Sequence, residues 1–129
     1  MALTQAQQRA LPGIARRLGA LAGALPEASA APAGRGHTAY RRGKRSFAYL
    51  MVDHHGDGRV ALAAKSTPEE QQGLVAEEPE RYFVPAYLGA QGWVALRLDP
   101  GTVDWAVVEA LLTRAHAACA PKRRRGRAP

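Results

Sequence analysis

The segment Asp53-His54-His55-Gly56-Asp57-Gly58 brings imidazoles and carboxylates together, the donor types a divalent metal would take. A structural zinc site needs four ligands, preferably with thiolate, and neither His37 nor His116 stands at a spacing that supplies them. Adjacent histidines at a strand end point to opposite sides, so both seldom reach one ion. The Asp-Gly pair instead predicts a tight hairpin turn, and no metal is expected. Cys119 follows His116 by three positions, but no third group is visible to orient the imidazole. Its place on an apolar stripe makes it a core thiol. Glu77, Glu78 and Glu80 surround Pro79 at a helix end and read as solvated carboxylates. Gly34-Arg35-Gly36 and the glycines of 89–92 lack phosphate-loop spacing. No catalytic constellation and no cofactor site follow, so the chain is expected not to be an enzyme.

The remaining chemistry is charge. The 129 residues carry 18 Lys and Arg against 11 Asp and Glu, a net +7. Residues 1–45 hold +7, residues 46–120 hold −5 and residues 121–129 hold +5. Segregation of this kind favours local contact patches for an anionic partner over a uniformly basic surface. Arg41, Arg42, Lys44 and Arg45 flank Gly43 and form the first patch. Lys122, Arg123, Arg124 and Arg125, with Arg127, form the second. Guanidinium groups match phosphate oxygens in bidentate fashion, so both are candidate nucleic-acid contacts. Trp93 and Arg97 fall on the strand face opposite Val94, Leu96 and Leu98. With Tyr82 and Tyr87 they are a candidate interaction surface, unless Trp93 serves to anchor the loop 85–92.

The elements that must position these residues follow from periodicity. Leu11, Ile14, Leu18, Leu21 and Leu25 make one stripe of a first helix, with Pro12 in its first turn and Pro26 at its end. Arg16-Arg17, the apolar run and Ala28-Ser29-Ala30 have the outline of a signal peptide, but the run is short and reads better as this helix. Ala28 to Gly36 reads as a connector. Thr38–Arg42, Lys44–Val52 and Arg59–Lys65 alternate with a period of two and predict a three-stranded meander. Phe47, Tyr49 and Met51 would share one face of the middle strand. Thr67-Pro68-Glu69-Glu70 starts a short helix with a capping box. Tyr82–Val84 and Trp93–Leu98 are further strands, and Val103, Val107, Val108, Leu111, Leu112, Ala115 and Cys119 mark a last amphipathic helix. The order α-β-β-β-α-β-β-α predicts a two-layer α+β domain, an antiparallel sheet with helices mainly on one face. One domain is expected over residues 1–121, and residues 122–129 read as a basic disordered tail.

Several segments in order resemble the MmcQ/YjbR family of small bacterial proteins. They are Ala24-Leu25-Pro26-Glu27, Arg42-Gly43-Lys44-Arg45-Ser46-Phe47-Ala48 and Asp53-His54-His55-Gly56-Asp57-Gly58-Arg59. Further along come Pro79-Glu80-Arg81-Tyr82-Phe83-Val84-Pro85-Ala86-Tyr87, Gly92-Trp93-Val94-Ala95-Leu96-Arg97-Leu98-Asp99, Val103-Asp104-Trp105 and Ala120-Pro121-Lys122-Arg123. The resemblance implies a fold similar to type III secretion chaperones and a DNA-binding label that rests on fold analogy. It supplies no catalytic motif.

Together these readings predict a cytoplasmic, monomeric, non-enzymatic protein that binds nucleic acid, DNA before RNA, through phosphates and without membrane attachment. A protein-binding module using the open sheet face around Trp93 is the alternative.

Overall fold

A computed structural model describes residues 2–121 of the chain. Helix α1 spans Gln5–Gly23. It starts six residues before the apolar stripe because Thr4 and Gln7 cap it reciprocally. Gln7 N–H donates to Thr4 Oγ1 at 3.1 Å, and Thr4 N–H donates to Gln7 Oε1 at 2.8 Å. Pro12 therefore lies inside the helix rather than in its first turn. The Gln7 amide also donates to the Gly58 carbonyl at 2.9 Å, which ties the helix start to a distant turn.

Ala28–Pro32, expected as a connector, is strand β1. It pairs antiparallel with β2, Thr38–Arg42, from Ala28 opposite Arg42 to Pro32 opposite Thr38. Small residues with no large apolar alternation carry no strand signal of their own. The unpaired edge of β2 imposes the conformation, and Pro32 is tolerated at the end of an edge strand. The remaining strands are β3, Arg45–Val52; β4, Val60–Ala64; β5, Tyr82–Phe83; and β6, Val94–Arg97. They form one antiparallel sheet in the order β1-β2-β3-β4-β6-β5. The predicted α+β class holds with one strand more than expected. Helix α2, Pro68–Glu77, is capped by Thr67 Oγ1, which accepts from Glu70 N–H at 3.2 Å. The Glu70 carboxylate completes no capping box: it bonds the Ser66 hydroxyl and pairs with Arg114 at 3.0 Å.

Helices α1 and α3, Trp105–Ala118, cover one sheet face. Leu18, Val108 and Leu112 pack there on Leu50, Leu62 and Val94, all almost fully buried. A bulge between Tyr40 and Arg41 of β2 leaves Phe47 of β3 without a cross-strand partner. Simple alternation would group Phe47 with Tyr49 and Met51. The bulge turns it instead to the helix side, where it is fully buried and meets the His116 ring edge-on at 5.4 Å. The opposite face carries the cross-strand row Ala31, Ala39, Tyr49, Ala63, Ala95 and Phe83. Its alanines leave room, which Tyr49, Trp93 and the loop 84–91 partly fill.

Candidate functional site

The two ends of β3 hold the polar side chains that the sequence singles out. At one end, Gly43 and Lys44 alone join β2 to β3, with Arg42 directly opposite Arg45. Gly43 has φ +61° and Lys44 does not share that region, the pattern of a type II′ hairpin turn. Arg41, Lys44 and Arg45 are exposed. Arg41 shares the alanine face, opposite Ser29 and Ser46, whereas Arg42 and Arg45 stand on the helix face.

Arg42 is not a free cation. Its side chain is 17% exposed and pairs with Glu27 at 3.3 Å, and it donates to the His116 carbonyl at 3.1 Å. His116 Nε2 lies 2.6 Å from the Pro26 carbonyl, an acceptor, so that nitrogen carries the proton. Nδ1 is thereby left to accept from Arg42 at 3.4 Å. Arg42 ties the corner after α1, the hairpin and the end of α3 together, and it drops out of the set of phosphate contacts. Cys119, buried as expected, points its thiol at the Ser46 carbonyl, 3.6 Å away. The chain therefore reaches Pro121 beside the base of the hairpin. Lys122, Arg123, Arg124 and Arg125 lie outside the described residues.

The four-residue interaction surface does not form. Trp93 is 4% exposed, stacks at a tilt on Tyr49 with ring centres 5.6 Å apart, and gives its carbonyl to the Gln71 amide. Tyr82 is buried toward the helices, and Arg97 pairs with Asp99 at 3.6 Å. Tyr87 alone is open, at 77%. Trp93 anchors its loop. Gln71 donates from one amide nitrogen to both the Gly89 and Trp93 carbonyls, which pins that loop to α2. Gly92 closes it: at φ +89°, a Cβ there would lie 2.9 Å from Pro68 Cδ and N.

At the other end of β3 the chain makes no tight two-residue turn. Asp53 and His55 adopt left-handed conformations around a short 3-10 turn, His54–Gly56, and Asp53 Oδ1 accepts from Gly58 N–H at 2.7 Å. Outside a strand the alternation of side chains fails. The rings of His54 and His55 come within 4.1 Å rather than pointing apart. Val52 N–H donates to His37 Nδ1 at 2.9 Å, so the His37 proton sits on Nε2. That nitrogen is 3.3 Å from His54 Nδ1, which must accept. His54 therefore carries its own proton on Nε2, and this atom is buried without a hydrogen-bond partner. Burial, and then repulsion by the neighbouring imidazoles, push His37 and His54 below their ordinary value of 6.5, while Asp57 opposes the shift. Among the described residues, no group of three or more His, Cys, Asp or Glu is arranged to hold a metal.

Two hollows flank His54 and Ala86. One, about 290 Å³, is lined by Met51, Phe83, Pro85, Ala95 and Arg59. The other, about 220 Å³, reaches His37, Tyr49 and Leu88. Spacing alone offers His54 and His55 only as metal ligands, because their pairing with His37 is created by the antiparallel run of β2 and β3.

The family model for YjbR matches residues 23–118, a stretch that holds the hairpin, the histidine turn and α3. The chain belongs to the YjbR family. Its YjbR domain is similar in fold to the crystal structure of Deinococcus radiodurans protein DR2400, which carries the family domain DUF419. The TM-score is 0.63 at 21% identity, over 78% of this chain and 74% of that one. No curated protein matches the sequence. No helix among the described residues of this YjbR domain is long and apolar enough to cross a membrane.

Proposed function

We propose that this YjbR protein is a non-enzymatic nucleic-acid-binding protein that takes DNA by its phosphates. Arg41, Lys44 and Arg45 contact the backbone from the hairpin, and Lys122, Arg123, Arg124 and Arg125 add sequence-independent affinity. The observation that supports this reading is the contact of Cys119 Sγ with the Ser46 carbonyl at 3.6 Å. It holds the end of α3 against the residue next to Arg45, and the basic ending begins three residues further along the sequence. A hairpin that narrows to Gly43 and Lys44 can approach a phosphate backbone closely. Base reading is not part of the proposal, since phosphate contacts position a protein without specifying sequence. The alternative use of an open sheet face around Trp93 loses its support with that ring buried.

Binding of the full chain to duplex and single-stranded DNA, measured across salt concentrations, tests the reading. Three engaged hairpin cations contribute a slope in log K against log salt of about −2.7, and the five tail cations, Arg127 included, up to about −4.5. The triple variant R41Q/K44Q/R45Q and a chain ending at Pro121 are each expected to lose their share. If the full chain binds neither form at low salt, the proposal is wrong. If the triple variant keeps the whole slope, the hairpin has no part in it.

A further inference from the structure

We propose that the hollow at the histidine end of β3 binds a small organic carboxylate with a flat apolar body. The inference is independent of the nucleic-acid reading and concerns residues that reading does not use. Its first support is the fixed proton of His54. The succession from Val52 N–H through His37 to His54 leaves Nε2–H as a donor with no acceptor. Buried donors in folded proteins are nearly always paired, and what completes this one is an acceptor. The second is Arg59. Its guanidinium carbon lies over the Phe83 ring, 4.2 Å from the centre, and it makes no ion pair among the described residues. Asp57, which also lines the hollow, accepts from the Arg59 backbone N–H through Oδ1 at 2.9 Å. A donor and an unpaired planar cation on one rim suit a carboxylate.

The third support is the wall. Met51, Phe83, Val84, Pro85 and Ala95 make the rest of the hollow apolar, which a bare phosphate would not use. About 290 Å³ lies near the lower end of ligand-site volumes, room for one or two rings. The space exists because Ala95 stands in the alanine row, where a larger side chain would close it. Backbone strain gathers at the same place. Asp53, His55 and Tyr87 all have positive φ. Tyr87, at φ 67° and ψ −54°, sits in a γ-turn closed by Leu88 N–H on the Ala86 carbonyl at 2.7 Å. Such residues persist where the surroundings over-determine them, commonly at ligand sites. His55 and Tyr87 are exposed, and their rings stand 4.1 Å and 6.5 Å from that of His54. A carboxylate seated in the hollow accepts from Nε2–H. Its charge acts on His37 and His54 in the same sense as Asp57, against the downward shift.

The test is titration of the full chain with benzoate, phenylacetate, indole-3-acetate and hexanoate, with benzamide as the neutral counterpart. The readouts are the histidine and Met51 methyl NMR signals, and the heat of binding. At least one carboxylate is expected to saturate at millimolar concentration, with shifts centred on His54. Arg59→Gln and benzamide should each weaken binding by about tenfold or more, the loss of a charged hydrogen bond. Ala95→Leu, which fills the hollow, should abolish binding while DNA affinity stays unchanged. Arg59→Gln keeps the test decisive if Ala95→Leu does not fold. The proposal is overturned if no carboxylate saturates, if benzamide binds equally, or if Arg59→Gln leaves affinity intact.

Discussion

The two ends of β3 solve opposite problems with the same strand. At the hairpin end the turn is as short as a turn can be, its charges point into solvent, and the one arginine that does not is fully engaged by Glu27 and His116. At the histidine end, roughly 25 Å away at about 3.3 Å per residue, the turn is longer and the backbone is bent into left-handed conformations. There His37 and His54 are half-buried and one donor is unpaired. A surface that meets a polyanion by charge needs projection and little shape. A surface that selects a small molecule needs concavity, and concavity brings strain and incomplete hydrogen bonding. On the two proposed readings the same fold carries both, because β3 is central enough for the core to hold each end independently.

Substitutions at both ends and a change of pH should separate the two, the largest effect first. Phe47→Ala removes a fully buried ring on the bulge and is expected to cost about 3–5 kcal/mol in urea unfolding. A loss under 1 kcal/mol, on the order of a surface change, would show that the hairpin end does not depend on the bulge. Gly92→Ala places a Cβ against Pro68 at φ +89° and should cost about 1–3 kcal/mol from backbone strain, more with the clash. It should loosen the loop 84–91, seen as faster amide exchange there, while the hairpin amides keep their protection. Unchanged exchange in the loop would detach Gly92 from the hollow.

Arg42→Ala is expected to cost about 1–3 kcal/mol, because the His116 carbonyl and ring lose their donor. Arg41→Ala should stay within about 0.5 kcal/mol. Equal effects would abolish the distinction drawn between these neighbours. The pH dependence is the smallest effect. His37 and His54 lie below 6.5 in the folded chain, so the unfolded chain binds protons first as pH falls. Stability is therefore retained above 6.5 and declines on acidification through that value. Asp57 works against the shift, whereas His55 and Arg35 reinforce it. His37→Gln should flatten the decline, and a profile identical to the parent would remove the histidine pair from the account.

Much of the architecture is visible in the residues themselves. The meander, the Thr67 cap, the last helix and the buried Cys119 follow from period, turn chemistry and stripe. Strand β1 does not, because Ala-Ser-Ala-Ala-Pro has nothing to alternate and becomes a strand only by pairing with β2. The start of α1 was readable in Thr4 and Gln7, a cap that an apolar stripe does not reveal. Arg42 also left a trace: it stands two residues from Tyr40, so alternation turns it inward, whereas Arg41 turns outward. The contact between His37 and His54 spans 17 residues and depends on how two strands and an irregular turn come together. No local spacing encodes it. The hollow is equally silent, since alanine in a strand looks like weak propensity until the space above it is seen.

The thiol of Cys119 against the Ser46 carbonyl has a consequence for avidity. On the proposed reading, the hairpin and the basic ending are two weak ligands for one polyanion, and this contact holds the residue three before Lys122 against the hairpin. Once either engages, the other is held at an effective concentration that reaches the millimolar range for short linkages. The strength of binding would then depend less on the number of arginines than on the few residues between Cys119 and the first of them. Inserting a flexible stretch after Pro121 should weaken binding without removing a single charge.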